Sequence, residues 1–131
     1  MYTRTLAWSS TVAILASGAI ANAADLSASG YPSIQHALDA NPGRMILVPA
    51  GDYPVTEKIR IRGERAGLFG PGRIIQENPD QPIIEVEDAT GAEIRDLTLT
   101  RPDGKWETAC EGILALGCRD LVIENVRVVD N

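Results

Sequence analysis

The sequence predicts an all-β chain wound as a single-stranded parallel β-helix of about three coils, and three observations carry that expectation. Pro82–Pro102, shifted forward by 29 positions, lands without a gap on Glu111–Asn131. Ile84 and Val86 then fall on Ile113 and Ala115, Ala92 and Ile94 on Leu121 and Ile123, and Leu97 and Leu99 on Val126 and Val128. Few residues are identical, yet the apolar positions are kept, which is what a structural repeat preserves. Each copy also holds three short apolar/polar alternations, read as three strands. Coils of this kind bury their faces only against their neighbours. Finally, Gly70, Asp96 and Asn125 recur at the bend between the second and third strands. These residue types tolerate a left-handed backbone and bond locally to main chain, so stacked bends can form a side-chain ladder.

Taken from the start, residues 1–23 have the layout of a secretory signal peptide: basic Arg4, a mostly apolar run from Leu6 to Ile20, and a small-x-small cleavage site at Ala21-Asn22-Ala23. A membrane anchor needs roughly 20 apolar residues, and Ser9, Ser10, Thr11 and Ser17 interrupt this run. Export to the periplasm or the cell exterior is therefore expected, with no membrane attachment after cleavage. Residues 24–43 read as a polar lead-in followed by a short helix. Ser33 is placed to cap it, Ile34, Ala37 and Leu38 share one face, and Asn41-Pro42-Gly43 stops it. Two turns are too few to stand alone in water; the helix is expected to cap the open end of the first coil.

Residues 44–131 form the coils. Met45–Val48 is a buried-type strand, Pro49–Asp52 a turn, and Tyr53 with Val55 a second short piece. Lys58–Arg62 alternates strictly, with Ile59 and Ile61 inward and Lys58, Arg60 and Arg62 outward. Ile59 to Ile84 is 25 residues and Leu68 to Ile94 is 26, so a slightly shorter coil precedes the repeated pair. The length difference falls in the connection after the third strand, which is brief at Asn78–Gln81 and long at Arg101–Glu111.

Composition narrows function. Net charge is −6, or −7 once Arg4 leaves with the signal. An acidic exported domain has no electrostatic reason to bind nucleic acid or an anionic membrane. Cys110 and Cys118 flank the strand Ile113–Leu116. Because an extended strand rises about 3.3 Å per residue and a disulfide needs Cα atoms within roughly 7 Å, free or structural thiols are expected. Cys118 falls at the repeat position of Ala89, a core position. No histidine lies near enough to complete a metal site.

The segments PSIQHALDA, MILVPAGDYPV, AGLFGPGRII and AEIRDLTLT together resemble the N-terminal portion of the pectin-lyase-like superfamily of right-handed parallel β-helices. Members of that superfamily commonly open with a cap helix, a V-x-x-P-x-G-x-Y segment, a Leu-x-Gly-x-Gly turn and N/D-L-x-I strands. The resemblance covers the mature chain and implies a right-handed coil. For activity it implies a class only, since polygalacturonase-type hydrolases, pectate and other lyases, epimerases and non-catalytic proteins share the fold. It also implies a carbohydrate groove along the first strand of successive coils, where Arg60, Arg62, Glu85, Glu87, Leu114 and Leu116 point outward.

The residues themselves suggest modest chemistry. The Asn-Thr-Asp, Asp-Asp, Gly-His-Gly and Arg-x-Lys set of the hydrolases does not occur in this chain. His36, the single histidine, falls on the polar side of the helix as solvated surface. Glu85 and Glu87, about 7 Å apart on one strand face, could act as an acid/base pair or join Asp88 on calcium in a lyase. The simpler expectation is a cross-strand charge ladder with Arg60 and Arg62, each exposed pair contributing ~0–1 kcal/mol. Trp106 is expected either to pack over Leu114 and Leu116 or to stack on a sugar ring. Candidate substrate-binding residues are thus Arg60, Arg62, Glu85, Glu87 and Trp106, with no cofactor or metal ligand evident. The functional expectation is the N-terminal part of an exported polysaccharide hydrolase or lyase, its catalytic residues following Asn131. The alternative is a non-catalytic exported scaffold, an adhesin or a periplasmic binding protein.

Overall fold

The computed structural model describes residues 26–102 and 110–131; the leader segment 1–23 and Trp106 lie outside them. The described strands are β1 (Leu26–Ser27), β2 (Met45–Leu47), β3 (Asp52–Val55), β4 (Ile59–Glu64), β5 (Gly67–Phe69), β6 (Arg73–Gln76), β7 (Ile84–Thr90), β8 (Glu93–Arg95), β9 (Thr98–Thr100), β10 (Ile113–Leu116), β11 (Val122–Glu124) and β12 (Arg127–Val128). From β4 onward the chain visits three sheets in strict rotation. The first sheet is β4-β7-β10, the second β1-β2-β5-β8-β11, and the third β3-β6-β9-β12. Every strand pair is parallel. The result is a β-solenoid of about three turns with one short α-helix.

The repeat read from the sequence is the physical register. Ile59 aligns with Ile84 and Ile84 with Ile113 in the first sheet. Ile46, Leu68, Ile94 and Ile123 form one column of the second sheet, and Ile74, Leu99 and Val128 a column of the third. Stacked strands lie about 4.8 Å apart, so each apolar side chain seals the one below it. Ile46, Leu68 and Ile94 are fully buried, whereas Ile123, on the last strand of its column, is 48% exposed. Burying one such side chain is worth about 2 kcal/mol, and the stack collects that along three columns.

The bend between second and third strands is the predicted one. Gly70 (φ 122°), Asp96 (φ 67°) and Asn125 (φ 55°) all have positive φ, and Asn125 Nδ2 donates to Asp96 Oδ1 at 2.9 Å. A second left-handed column, between first and second strands, was not visible in the sequence: Arg65 (φ 60°), Gly91 (φ 70°) and Asp120 (φ 55°). Arginine is not a turn signal, and it hides the pattern at the first position. The register also slips between Ile61 and Gly63, where β7 accommodates one more residue than β4, as in a β-bulge.

Helix α1 (Ile34–Ala40) starts at Ser33, whose Oγ accepts from His36 N at 3.1 Å. It buries Ile34, Ala37 and Leu38 and leaves His36 exposed. Gln35 fastens it to β4: Arg60 N donates to Gln35 Oε1 at 2.7 Å, and Gln35 Nε2 donates to Arg60 O at 3.1 Å. One side-chain amide thus occupies the edge groups of β4 as a neighbouring strand would. The lead-in, read as strandless, contributes β1, which pairs with β2 through Leu26–Ile46 and Ser27–Leu47. Two residues are too few to show a period.

The connection after β6 is held by two buried polar side chains. Gln76 Nε2 donates to Pro82 O at 3.0 Å, and Asn78 N donates to Gln76 Oε1 at 2.9 Å. Arg101, 1% exposed, donates to Asn131 Oδ1 (2.8 Å), Asn78 O (3.0 Å) and Gln81 O (2.9 Å). Burying a guanidinium is tolerable only when its donors are satisfied in this way.

Candidate functional site

The outward face of the first sheet carries Arg60, Glu85 and Glu87 in register, with Arg62 at the slip between Ile61 and Gly63, but pairs the charges differently. Arg60 is level with Glu85, and Glu85 with Leu114. Glu87 is level with Leu116. Arg62 Nη2 meets Glu87 Oε1 at 2.8 Å, as the ladder predicts. Glu85, however, is taken by Lys58, whose Nζ lies 2.9 Å from Oε2, and Arg60 has no acidic partner among the described residues. The correction has a geometric cause. With its main chain held by Gln35, Arg60 lies along the helix margin, and the diagonal neighbour two residues back has the reach to claim the carboxylate. Lys58 belonged to the same outward alternation, so diagonal pairing was the available signal.

The two pairs differ in weight. Arg62 and Glu87 have side chains 59% and 35% exposed, so solvent screens the pair to ~0–1 kcal/mol. Glu85 is 7% exposed overall and Lys58 closes over it. Replacing Lys58 with methionine is expected to lower stability by about 2 kcal/mol, between the values for exposed and fully buried pairs. Arg62→Met should cost less than ~0.5 kcal/mol. Urea unfolding of the two variants side by side checks the order; equal losses would contradict it.

Beside the edge of β4 lies a cleft of about 780 Å³, lined by Gln35, Thr56, Lys58, Arg60, Asn78 and Gln81 among others. Its walls are pinned. Gln81 Oε1 accepts from Lys58 N at 3.2 Å, Asn78 Nδ2 donates to Thr56 O at 3.1 Å, and Arg101 supports Asn78 and Gln81 from below. Arg60 contributes a guanidinium to the lining and Glu57 a carboxylate, while the Lys58 ammonium is held by Glu85, a mixed lining suited to hydroxyl-bearing ligands. Gln35, Asn78 and Gln81 were missed by sequence reasoning because the fold alone joins the helix to strand and turn residues more than twenty positions away.

Glu85 and Glu87, two of the three carboxylates considered for calcium, are engaged by Lys58 and Arg62, and among the described residues no group of three or more His, Cys, Asp or Glu side chains is assembled. Leu114 is half-buried and Leu116 is 45% exposed; the residue expected to cover them, Trp106, lies outside the described residues. Cys110 and Cys118 are not disulfide-bonded. Cys118 packs against the core and its Sγ donates to Val86 O at 3.2 Å, as its alignment with Ala89 predicts.

Comparison of the chain with protein-family models, curated proteins and solved structures returns no match. No helix among the described residues is long and apolar enough to cross a membrane.

Proposed function

We propose that this chain is the N-terminal part of an exported, carbohydrate-active, right-handed parallel β-helix protein that cleaves polysaccharide glycosidic bonds by hydrolysis or elimination. In this reading residues 1–23 direct export, α1 caps the solenoid, and the polymer runs along the first sheet. The observation that carries it is the outward face of that sheet, where Arg60 is level with Glu85 and also lines the pinned polar cleft. Parallel strands about 4.8 Å apart offer a linear polymer charged groups on β4 and β7 followed by the apolar Leu114 and Leu116 on β10. The motifs shared with the pectin-lyase-like superfamily support the same reading.

The catalytic residues are assigned to coils following Asn131. What supports this is the far face, where β10, β11 and β12 are the outermost described strands and Ile123 and Val128, the last members of two core columns, are 48% and 44% exposed. Unpaired strand edges and apolar positions of this kind are suited to packing against another apolar or strand surface. The test is incubation of the protein from the complete reading frame with acidic polysaccharides. Reducing ends without ultraviolet-absorbing products mean hydrolysis, and unsaturated products mean elimination. Absence of both would overturn the enzymatic reading in favour of a non-catalytic scaffold, which the ion-paired state of Glu85 and Glu87 favours.

A further inference from the structure

We infer that the outward face of the second sheet carries a separate site that anchors an oxyanion-bearing polysaccharide through Arg44 and Arg65. A shallow groove of about 450 Å³ lies there, lined by Arg44, Met45, Arg65, Phe69, Glu93 and Arg95. Register explains its shape. Met45, Gly67 and Glu93 are level on successive strands, as are Leu47, Phe69 and Arg95. Gly67 adds no side chain to the row, and the place a Cβ would take is filled by Glu93 O and by Met45 Sδ, 2.7 Å from it, so the methionine lies over the glycine and forms part of the groove floor.

The charges are arranged unequally. Arg95 is held by Glu93 at 2.7 Å and by Glu124, which also neutralises the carboxylate in the groove. Arg44 and Arg65 are exposed and have no acidic partner among the described residues. Arg65 also occupies a left-handed bend, φ 60°, stacked in the column of Gly91 and Asp120. A long side chain at such a position costs on the order of 1 kcal/mol relative to glycine, and residues held against local preference concentrate at ligand clamps. Two free guanidiniums bind sulfate or carboxylate oxygens in bidentate fashion, and the Phe69 and Met45 surfaces suit the apolar face of a sugar ring. With a net charge of −6 the whole molecule does not attract polyanions, so capture must be local and salt-sensitive.

The choice of a saccharide rests on the reading above, but the residues differ and the readout is binding rather than cleavage, so the two can fail separately. The experiment is affinity electrophoresis of the 131-residue chain in gels containing dextran sulfate, polygalacturonate or plain dextran, with single-stranded DNA as an additional arm. At least one anionic polysaccharide should retard the protein and plain dextran should not; which one does so separates sulfate from carboxylate recognition. The double variant Arg44→Ser/Arg65→Gly should weaken that retardation about tenfold or more. The glycine suits the backbone at position 65, so folding is preserved, and circular dichroism verifies it. Arg73→Ser/Arg127→Ser, the same change of charge on the third sheet, should leave retardation unchanged. No retardation, equal retardation by plain dextran, stronger retention by DNA, or equal loss in the third-sheet variant would each overturn the assignment.

Discussion

Gly70→Ala is expected to lower the unfolding free energy by about 4 kcal/mol, combining backbone strain with overpacking. Gly70 has φ 122°, and a Cβ placed on it would sit 2.5 Å from Val48 O and 2.8 Å from Leu47 Cδ1. The main chain it meets is itself tied down, since Gly72 N donates to Val48 O at 3.1 Å. Small domains are stable by only about 5–15 kcal/mol, so the variant should lose a large share of its cooperative transition. Gly70→Asn gives a sharper contrast. Asn125 and Asp96 fill the same bend in later coils with φ near the ordinary left-handed value, which suggests that asparagine would serve at position 70. The steric contact with Val48 predicts that it does not. Urea unfolding followed by circular dichroism reads both; an asparagine variant as stable as the parent would show that the bend relaxes.

Arg101→Met should cost about 3 kcal/mol. The substitution keeps much of the buried volume but removes all three donors, leaving Asn131 Oδ1 without its arginine partner and Gln81 O and Asn78 O with fewer donors. Asn131→Ala removes one of the three bonds and should cost about 1 kcal/mol. Amide hydrogen exchange adds a local readout. Gln81 N, which donates to Asn78 O at 3.2 Å, and Lys58 N, which donates to Gln81 Oε1, should lose protection in Arg101→Met more than Ile94 or Leu99. Uniform loss across the chain would mean that Arg101 supports the fold at large rather than this turn and the cleft above it.

The candidate site was legible in part, and the particular residues show why. Outward placement of Arg62 and Glu87 follows from strand alternation alone, and they meet. The same alternation put Arg60 opposite Glu85, yet a salt bridge is decided by which flexible side chain reaches the carboxylate, and there Lys58 prevails. Gln35 could not be assigned a role from the helix pattern, since its amide bonds a strand 25 residues away. Arg101 looked like the first residue of a surface connection. Its burial follows from the carbonyls of the preceding coil's turn, which no local pattern reveals.

Sequence alone determined the coil. Apolar periodicity, the 25-, 26- and 29-residue offsets, and Gly, Asp and Asn at one bend specify which residue stacks on which, because a solenoid turns position in the repeat directly into register. The helix, its serine cap and its buried face were equally local. Tertiary structure decided everything that depends on contacts between unlike parts of the coil. It paired Lys58 with Glu85, tied Gln35 to the edge of β4, buried Arg101 beneath the cleft, and gathered Arg44, Arg65 and Phe69 on one face. Repetition writes the backbone into the sequence at each turn, but long polar side chains choose partners by reach and by what is left unsatisfied nearby, and those are properties of the assembled fold.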